Sequence, residues 1–298
     1  MEKNSPNDKK TNKINSFCSP LERIFPLFSP KTFISKSNFF LVEKIILAFS
    51  LCLAILRSSS TLSHLPAPKE QPIKNNNISI IAEIKKASPS AGILFENYNP
   101  VDIAKIYFKN GATCLSVLTE EDFFLGNLSH IYKIKSLSNP MEPPGPENHC
   151  IPILCKDFFI DVYQVQLAKY YGADAILIIL AGVDEKTADE LYEEAEKLKM
   201  SVIVEVHTVD EAKQALRFKD ALIGINNRNL KTFETSLETT TELLEHIPQS
   251  ITVVTESGIR NKSDVSLMQK NQVNCFLVGE TFMRSEIPGE ALSDLFYS

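Results

Sequence analysis

The sequence predicts an α/β protein, a closed (β/α)8 barrel behind an N-terminal extension. Three observations carry that expectation. Eight short apolar runs rich in β-branched residues follow one another from residue 79: 79–85, 114–119, 152–157, 175–180, 201–206, 221–226, 252–256 and 275–279. Amphipathic stretches separate them, among them 101–110, 162–171, 185–199 and 209–218. The 298 residues accommodate one such barrel, which needs about 250, with an extension to spare.

Each observation has a physical reason. Near-continuous apolar runs fit strands of a parallel sheet covered on both faces. Strict alternation with helical stretches implies βαβ units with right-handed crossovers. An open doubly wound sheet is the alternative arrangement, but no GxGxxG turn follows the first run, which removes its commonest nucleotide-binding form. The segment 139–150, NPMEPPGPENHC, follows a helix and precedes a strand. A barrel puts it on the N-terminal face, where it reads as a solvated loop.

The chain divides into an extension, 1–75, and a barrel, 76–298. Residues 1–75 hold 11 Lys/Arg against 5 Asp/Glu and no glycine; the remainder holds 20 against 32. Residues 1–40, rich in Ser, Lys, Asn and Pro, have the composition of a poorly ordered segment. Residues 45–56 are apolar apart from Ser50. Twelve residues are too few to span a bilayer, so a helix near 41–57 packed on the barrel is expected rather than a membrane segment. A net charge of −6 argues against nucleic acid as a partner. Cys18, Cys52, Cys114, Cys150, Cys155 and Cys275 show no CxxC spacing and no His cluster. Neither a disulfide framework nor a zinc site is expected, and no other metal. The expected compartment is the cytoplasm, or a plastid if residues 1–40 are a transit peptide.

Catalytic groups of such barrels sit at the C-terminal ends of strands. Here those ends are polar. The first run ends with Glu83 and Lys85, which period two directs to one face; the third ends with Lys156 and Asp157. The fifth carries Glu205 and His207, the sixth Asn226, Asn227 and Arg228, and the seventh Glu256 and Ser257 before Gly258. The eighth ends in Gly279, followed by Glu280. One charge at a strand end is ordinarily solvated or paired. Lysines, glutamates, Asn and Arg converging on one mouth are hard to explain by stability, because buried charge must be paired to be tolerated. Alternating signs also tune acid–base groups. Glycine-containing turns after the last two strands suit a phosphate, which backbone N–H groups can approach closely there.

These residues lie in motifs that resemble one family. IIAEIKKASPSAG (80–92), LSVLTEEDFFLG (115–126), ILCKDFFID (153–161), GADAILII (172–179), VEVHT (204–208), GINNRNL (224–230), TESGI (255–259) and FLVGE (276–280) are similar to the signatures of indole-3-glycerol-phosphate synthases. The likeness runs through all eight strands in order, and the third motif and PVDIAKIY resemble plant-type members most. It implies a (β/α)8 (TIM) barrel and a carboxy-lyase of tryptophan biosynthesis. Its substrate is an anthranilate ring joined to a deoxyribulose phosphate, and the ring closes with loss of CO2 and water. No metal, flavin or nicotinamide is needed.

Residue by residue, the resemblance makes Lys156 the general acid of ring closure, Glu205 the acid–base carboxylate of dehydration, and Lys85 a second acid. Glu83, Asn226 and Glu256 orient these groups or touch substrate hydroxyls. Arg228, Ser257, Gly258, Gly279 and Glu280 surround the phosphate. Ser88, Pro89, Phe124, Phe158, Leu177 and Leu230 line the ring pocket. His207 has no chemical role and is expected to be structural. An isomerase of the same pathway would use a Cys/Asp pair instead. In the family an N-terminal charged helix covers the mouth; LVEKII (41–46) resembles its start, but LAFSLCLAIL follows in place of the charged pattern. The expected partners are the sugar-phosphate substrate and other enzymes of the pathway, with the chain a monomer or weak oligomer.

Overall fold

A computed structural model describes residues 78–137 and 152–298. The extension 1–75, its expected helix near 41–57 and the segment 139–150 lie outside the described residues.

Eight parallel strands close on themselves. They are β1 (Ser79–Ile84), β2 (Cys114–Leu118), β3 (Ile153–Lys156), β4 (Ala175–Ile179), β5 (Ser201–Val206), β6 (Leu222–Asn226), β7 (Val253–Glu256) and β8 (Cys275–Val278). Each pairs with its neighbours in chain order, and β8 returns to β1 with Ser79 opposite Cys275 and Ala82 opposite Val278. The expected runs are met to within a residue or so at each end.

Period two sorts the side chains. Ile80, Ala82 and Ile84 of β1, and Val202, Val204 and Val206 of β5, belong to the core between sheet and helices. Ile81 and Ile203 belong to a second core inside the barrel, with Leu154, Leu177, Leu222, Val254 and Leu277. Continuing the inward alternation, Glu83 follows Ile81 and Glu205 follows Ile203. The barrel is therefore plugged with apolar side chains below and lined with charge above. Cys114, Cys155 and Cys275 are buried, as expected of small apolar-like side chains.

Helices follow the strands: α1 (Pro100–Lys109), α2 (Ser129–Lys135), α3 (Val162–Tyr170), α4 (Glu185–Lys197), α5 (Val209–Ala215), α6 (Glu238–Leu244), α7 (Lys262–Lys270), α8 (Glu280–Met283) and α9 (Pro288–Phe296). Their starts are written in the sequence. Asn99 caps α1 ahead of Pro100, Asp184 caps α4, and Asp161 and Asn261 form reciprocal capping boxes at α3 and α7. A two-residue antiparallel ribbon, Ala87–Ser88 with Gly92–Ile93, follows β1. Such a short pairing leaves no periodic signal in sequence. Among the described residues, no helix is long and apolar enough to cross a membrane.

Candidate active site

The strand ends open on a cavity of about 530 Å³. Its floor is charged. Lys156, ending β3, reaches across the barrel to Glu256 of β7, with Nζ 2.6 Å from Oε2. The same ammonium lies 3.6 Å from Oε2 of Glu205 on β5. Asn226, ending β6, donates from Nδ2 to the other Glu205 oxygen, Oε1, at 3.0 Å. Lys85 pairs with Glu83 at 2.7 Å. Glu83, Glu205 and Glu256 are 4%, 2% and 1% exposed, so these are buried charges that survive only by mutual pairing.

The environment divides the carboxyls. Burial raises Glu83's pKa, but Lys85 and Lys156 outweigh it and leave it lowered. Burial works the same way on Glu205, where Lys156, His207 and Asn226 pull the pKa down to about 2. Glu256 goes the other way, pushed up to about 7 by burial and by Glu205 and Glu83, against the pull of Lys156. The shorter lysine contact thus belongs to the less acidic carboxyl. Its Oε1 has no hydrogen-bond partner, while Glu205 has three stabilising neighbours, so of the two carboxyls Glu205 is the one whose surroundings favour the ionised form. Burial lowers the Lys156 pKa, but Glu256, Glu205 and Glu83 together raise it above the usual lysine value.

One wall is apolar. Phe124, Phe158, Leu177 and Leu230 line it, the two rings 6.3 Å apart between centroids. The rim also includes Arg228, Ser257, Gly258, Gly279 and Glu280. Ser257 and Gly258 both have positive φ, 64° and 88°, a turn that glycine adopts freely and serine only under constraint. Asn227 supplies the constraint: its Nδ2 donates to the carbonyls of Glu256 and Ser257 and to Thr255 Oγ1, while its Oδ1 accepts from Thr240 N and Oγ1. Arg228 pairs with Glu280 at 2.8 Å and donates to Ser90 Oγ at 3.2 Å.

Glu83, Lys85, Lys156, Glu205 and Glu256 all face the cavity, as do the expected wall and rim residues above. Asn226 is set behind it, holding Glu205 and accepting the Arg228 backbone N–H at 3.0 Å. Ser88 and Pro89 stand off the wall: Ser88 is buried with its Oγ unpartnered, and Pro89 is exposed. Leu118, Ile179, Glu120, Arg260 and Arg284 line the cavity without having been anticipated. Period two along β2 and β4 would have found Leu118 and Ile179. Glu120 orients Phe124 by accepting the backbone N–H groups of Phe123 and Phe124. Arg260 and Arg284 arrive from beyond strand ends, where no periodicity points.

Fold and site together define an acid–base enzyme built on a (β/α)8 barrel. A family model described as "Indole-3-glycerol phosphate synthase" matches residues 54–295. The indole-3-glycerol phosphate synthase of Polynucleobacter asymbioticus is 49% identical over 227 residues, 76% of this chain and 81% of that protein. The enzyme of Burkholderia cenocepacia is 48% identical over 221 residues, 74% and 80%. Among solved structures, 3-hexulose-6-phosphate synthase from Salmonella typhimurium aligns with a TM-score of 0.53 at 11% identity, over 73% of this chain and 96% of its own. Tryptophan synthase subunit alpha from Legionella pneumophila aligns with a TM-score of 0.52 at 12% identity, over 74% and 92%. At those identities the structures show the fold alone. The chain belongs to the indole-3-glycerol phosphate synthase family, decarboxylating lyases of tryptophan biosynthesis that act on a sugar-phosphate type of substrate.

Proposed function

We propose that the chain closes the ring of 1-(2-carboxyphenylamino)-1-deoxyribulose 5-phosphate to give indole-3-glycerol phosphate, CO2 and water, with the charged floor doing the proton transfers. The observation that carries this assignment of roles is Lys156, held between Glu256 and Glu205 below an apolar wall and a glycine-containing rim. The anthranilate ring lies against Phe124, Phe158, Leu177 and Leu230; Ser88 and Pro89, which stand off that wall, join the pocket on the family resemblance alone. The phosphate sits at Ser257, Gly258, Gly279 and the Glu280 backbone, with Arg228 beside it. The ring carbon bearing the carboxylate attacks the ketone. Lys156 protonates the developing oxyanion, supplying charge and proton together. CO2 leaves and aromaticity returns. Lys85 then protonates the departing hydroxyl, and Glu205, the carboxyl that stays ionised, takes the ring proton. Glu83 orients Lys85, Glu256 orients Lys156, and Asn226 orients Glu205.

A monomer or weak oligomer is the assembly we infer. Other enzymes of the pathway remain candidate partners. The setting we infer is the cytoplasm, with a plastid the alternative carried by residues 1–40.

A fluorescence assay for indole-3-glycerol phosphate, run on the full chain with that substrate, tests the assignment. Lys156→Ala should lose turnover by at least about 100-fold while substrate still binds. Near wild-type turnover would remove Lys156 as the acid.

A further inference from the structure

His207 lies just outside the cavity wall and is not needed for any step above. Period two from Glu205 sets it on the same side of the chain, immediately after β5 ends. Its Nε2 is 3.3 Å from Glu205 Oε1, and its Nδ1 is 3.4 Å from Glu211 Oε2. Both nitrogens are buried, at ion-pair distance from the two carboxylates but without hydrogen-bond angles. Glu211 is itself fixed by the start of α5: its carboxylate accepts the His207 backbone N–H at 2.7 Å, and its own N–H donates to the Thr208 hydroxyl at 3.3 Å. The helix start thus holds Glu211, Glu211 holds the imidazole, and the imidazole faces the buried carboxylate.

Glu205 uses its two oxygens differently. Oε2 faces Lys156, and Oε1 receives Asn226 and His207. A carboxylate that is 2% exposed would ordinarily be driven toward its neutral acid. A neutral acid cannot take a proton.

We propose that His207 is a positioning residue, an imidazolium clamped by Glu211 that keeps Glu205 ionised and oriented as a base. The charged groups acting on His207 are Glu205 from β5 and Glu211 from α5; those acting on Glu205 are Lys156 from β3 and His207, opposed by the carboxyls of Glu83 from β1 and Glu256 from β7. Burial lowers the His207 pKa, but the two glutamates outweigh it and lift it to about 9, so the ring is charged at neutral pH. Lys156 is the stronger opposite charge on Glu205, but it lies closer to Glu256, at 2.6 Å against 3.6 Å, so His207 adds to it at the other Glu205 oxygen.

The proposal rests on Glu205 as the base of dehydration, and the experiment separates the two. Profiles of kcat against pH are measured for the wild-type chain, His207→Asn, Glu211→Gln and Glu205→Gln. In His207→Asn the acid limb, set by Glu205 at about 2, should move up by about one unit or more, giving a deficit that grows to about tenfold at the lowest pH and has faded by about pH 5, with KM unchanged. Glu211→Gln, which keeps the imidazole, should move the limb the same way by less. Unmoved limbs in both variants would overturn the role of His207, as would a His207→Asn deficit equal at all pH values. Turnover surviving in Glu205→Gln would instead overturn the underlying assignment of the base.

Discussion

Gly279 lies against Glu83: a β-carbon at residue 279 would collide with the Glu83 carboxylate and come within 2.8 Å of its β-carbon. The Gly279 φ is negative, −131°, so it is the space beside Glu83 rather than a left-handed backbone that calls for glycine here. Gly279→Ala should push Glu83 off Lys85. Overpacking of this kind costs about 1–3 kcal/mol, and the expected result is that loss in denaturant unfolding with at least about tenfold lower kcat. Wild-type kinetics in that variant would mean that Glu83 has no fixed place in the site.

Asn227 bears no charge and touches no cavity surface, yet it organises the turn after β7. Replacing it with Ala leaves the carbonyl of Ser257 and the backbone N–H of Thr240 without their partner, while the Glu256 carbonyl keeps the backbone N–H of residue 227. Asn227→Ala should cost about 2–4 kcal/mol of stability and raise KM, because the positive-φ turn at Ser257 loses its anchor. A loss below about 1 kcal/mol would show that water substitutes for the amide.

Two buried groups make stability fall as pH rises, in separate windows. The Glu256 pKa is raised from 4.5 to about 7 by burial and neighbouring carboxylates, so its contribution is complete below pH 4.5 and lost on the way to 7. The His207 pKa is raised from 6.5 to about 9, so its contribution is complete below 6.5 and lost as pH passes 9. Unfolding free energies from urea titrations should show that Glu256→Gln flattens the lower window and His207→Asn the upper. A slope between pH 7 and 9 that is the same in His207→Asn and wild type would assign the upper window to other groups.

Arg228 offers one guanidinium to Glu280 and Ser90. If it also meets the phosphate, Arg228→Ala should raise KM by roughly 10- to 100-fold and change kcat much less, the signature of uniform binding. A kcat loss at constant KM would move Arg228 from binding into the chemistry.

The barrel could be read from sequence because its signals are local and repeated. In β5, Ser201–Val206, alternation separates Val202, Val204 and Val206 from Ile203 and Glu205, and the structure keeps that division. Strand-end polarity placed Lys85, Lys156, Glu205 and Glu256 together for the same reason. Direction beyond a strand end is not encoded by period two. Ser88 and Pro89 follow β1 in the ribbon and its turn and stand off the wall, whereas Arg260 and Arg284 turn onto it from loop and helix. The split between Glu205 and Glu256 was likewise invisible: both are glutamates at strand ends, and only Asn226, His207 and an unpartnered oxygen distinguish them.

The seam between β1 and β8 runs directly through the site, joining Glu83 and Lys85 to Gly279 and Glu280. On the ribosome, a nascent chain carries the first two residues long before the last two exist. Until β8 emerges, β1 and β7 are raw strand edges, the kind of surface that recruits other chains. Ring closure of the barrel and birth of the enzyme are therefore one event, and a chain halted short of β8 has an incomplete active site and an aggregation hazard together.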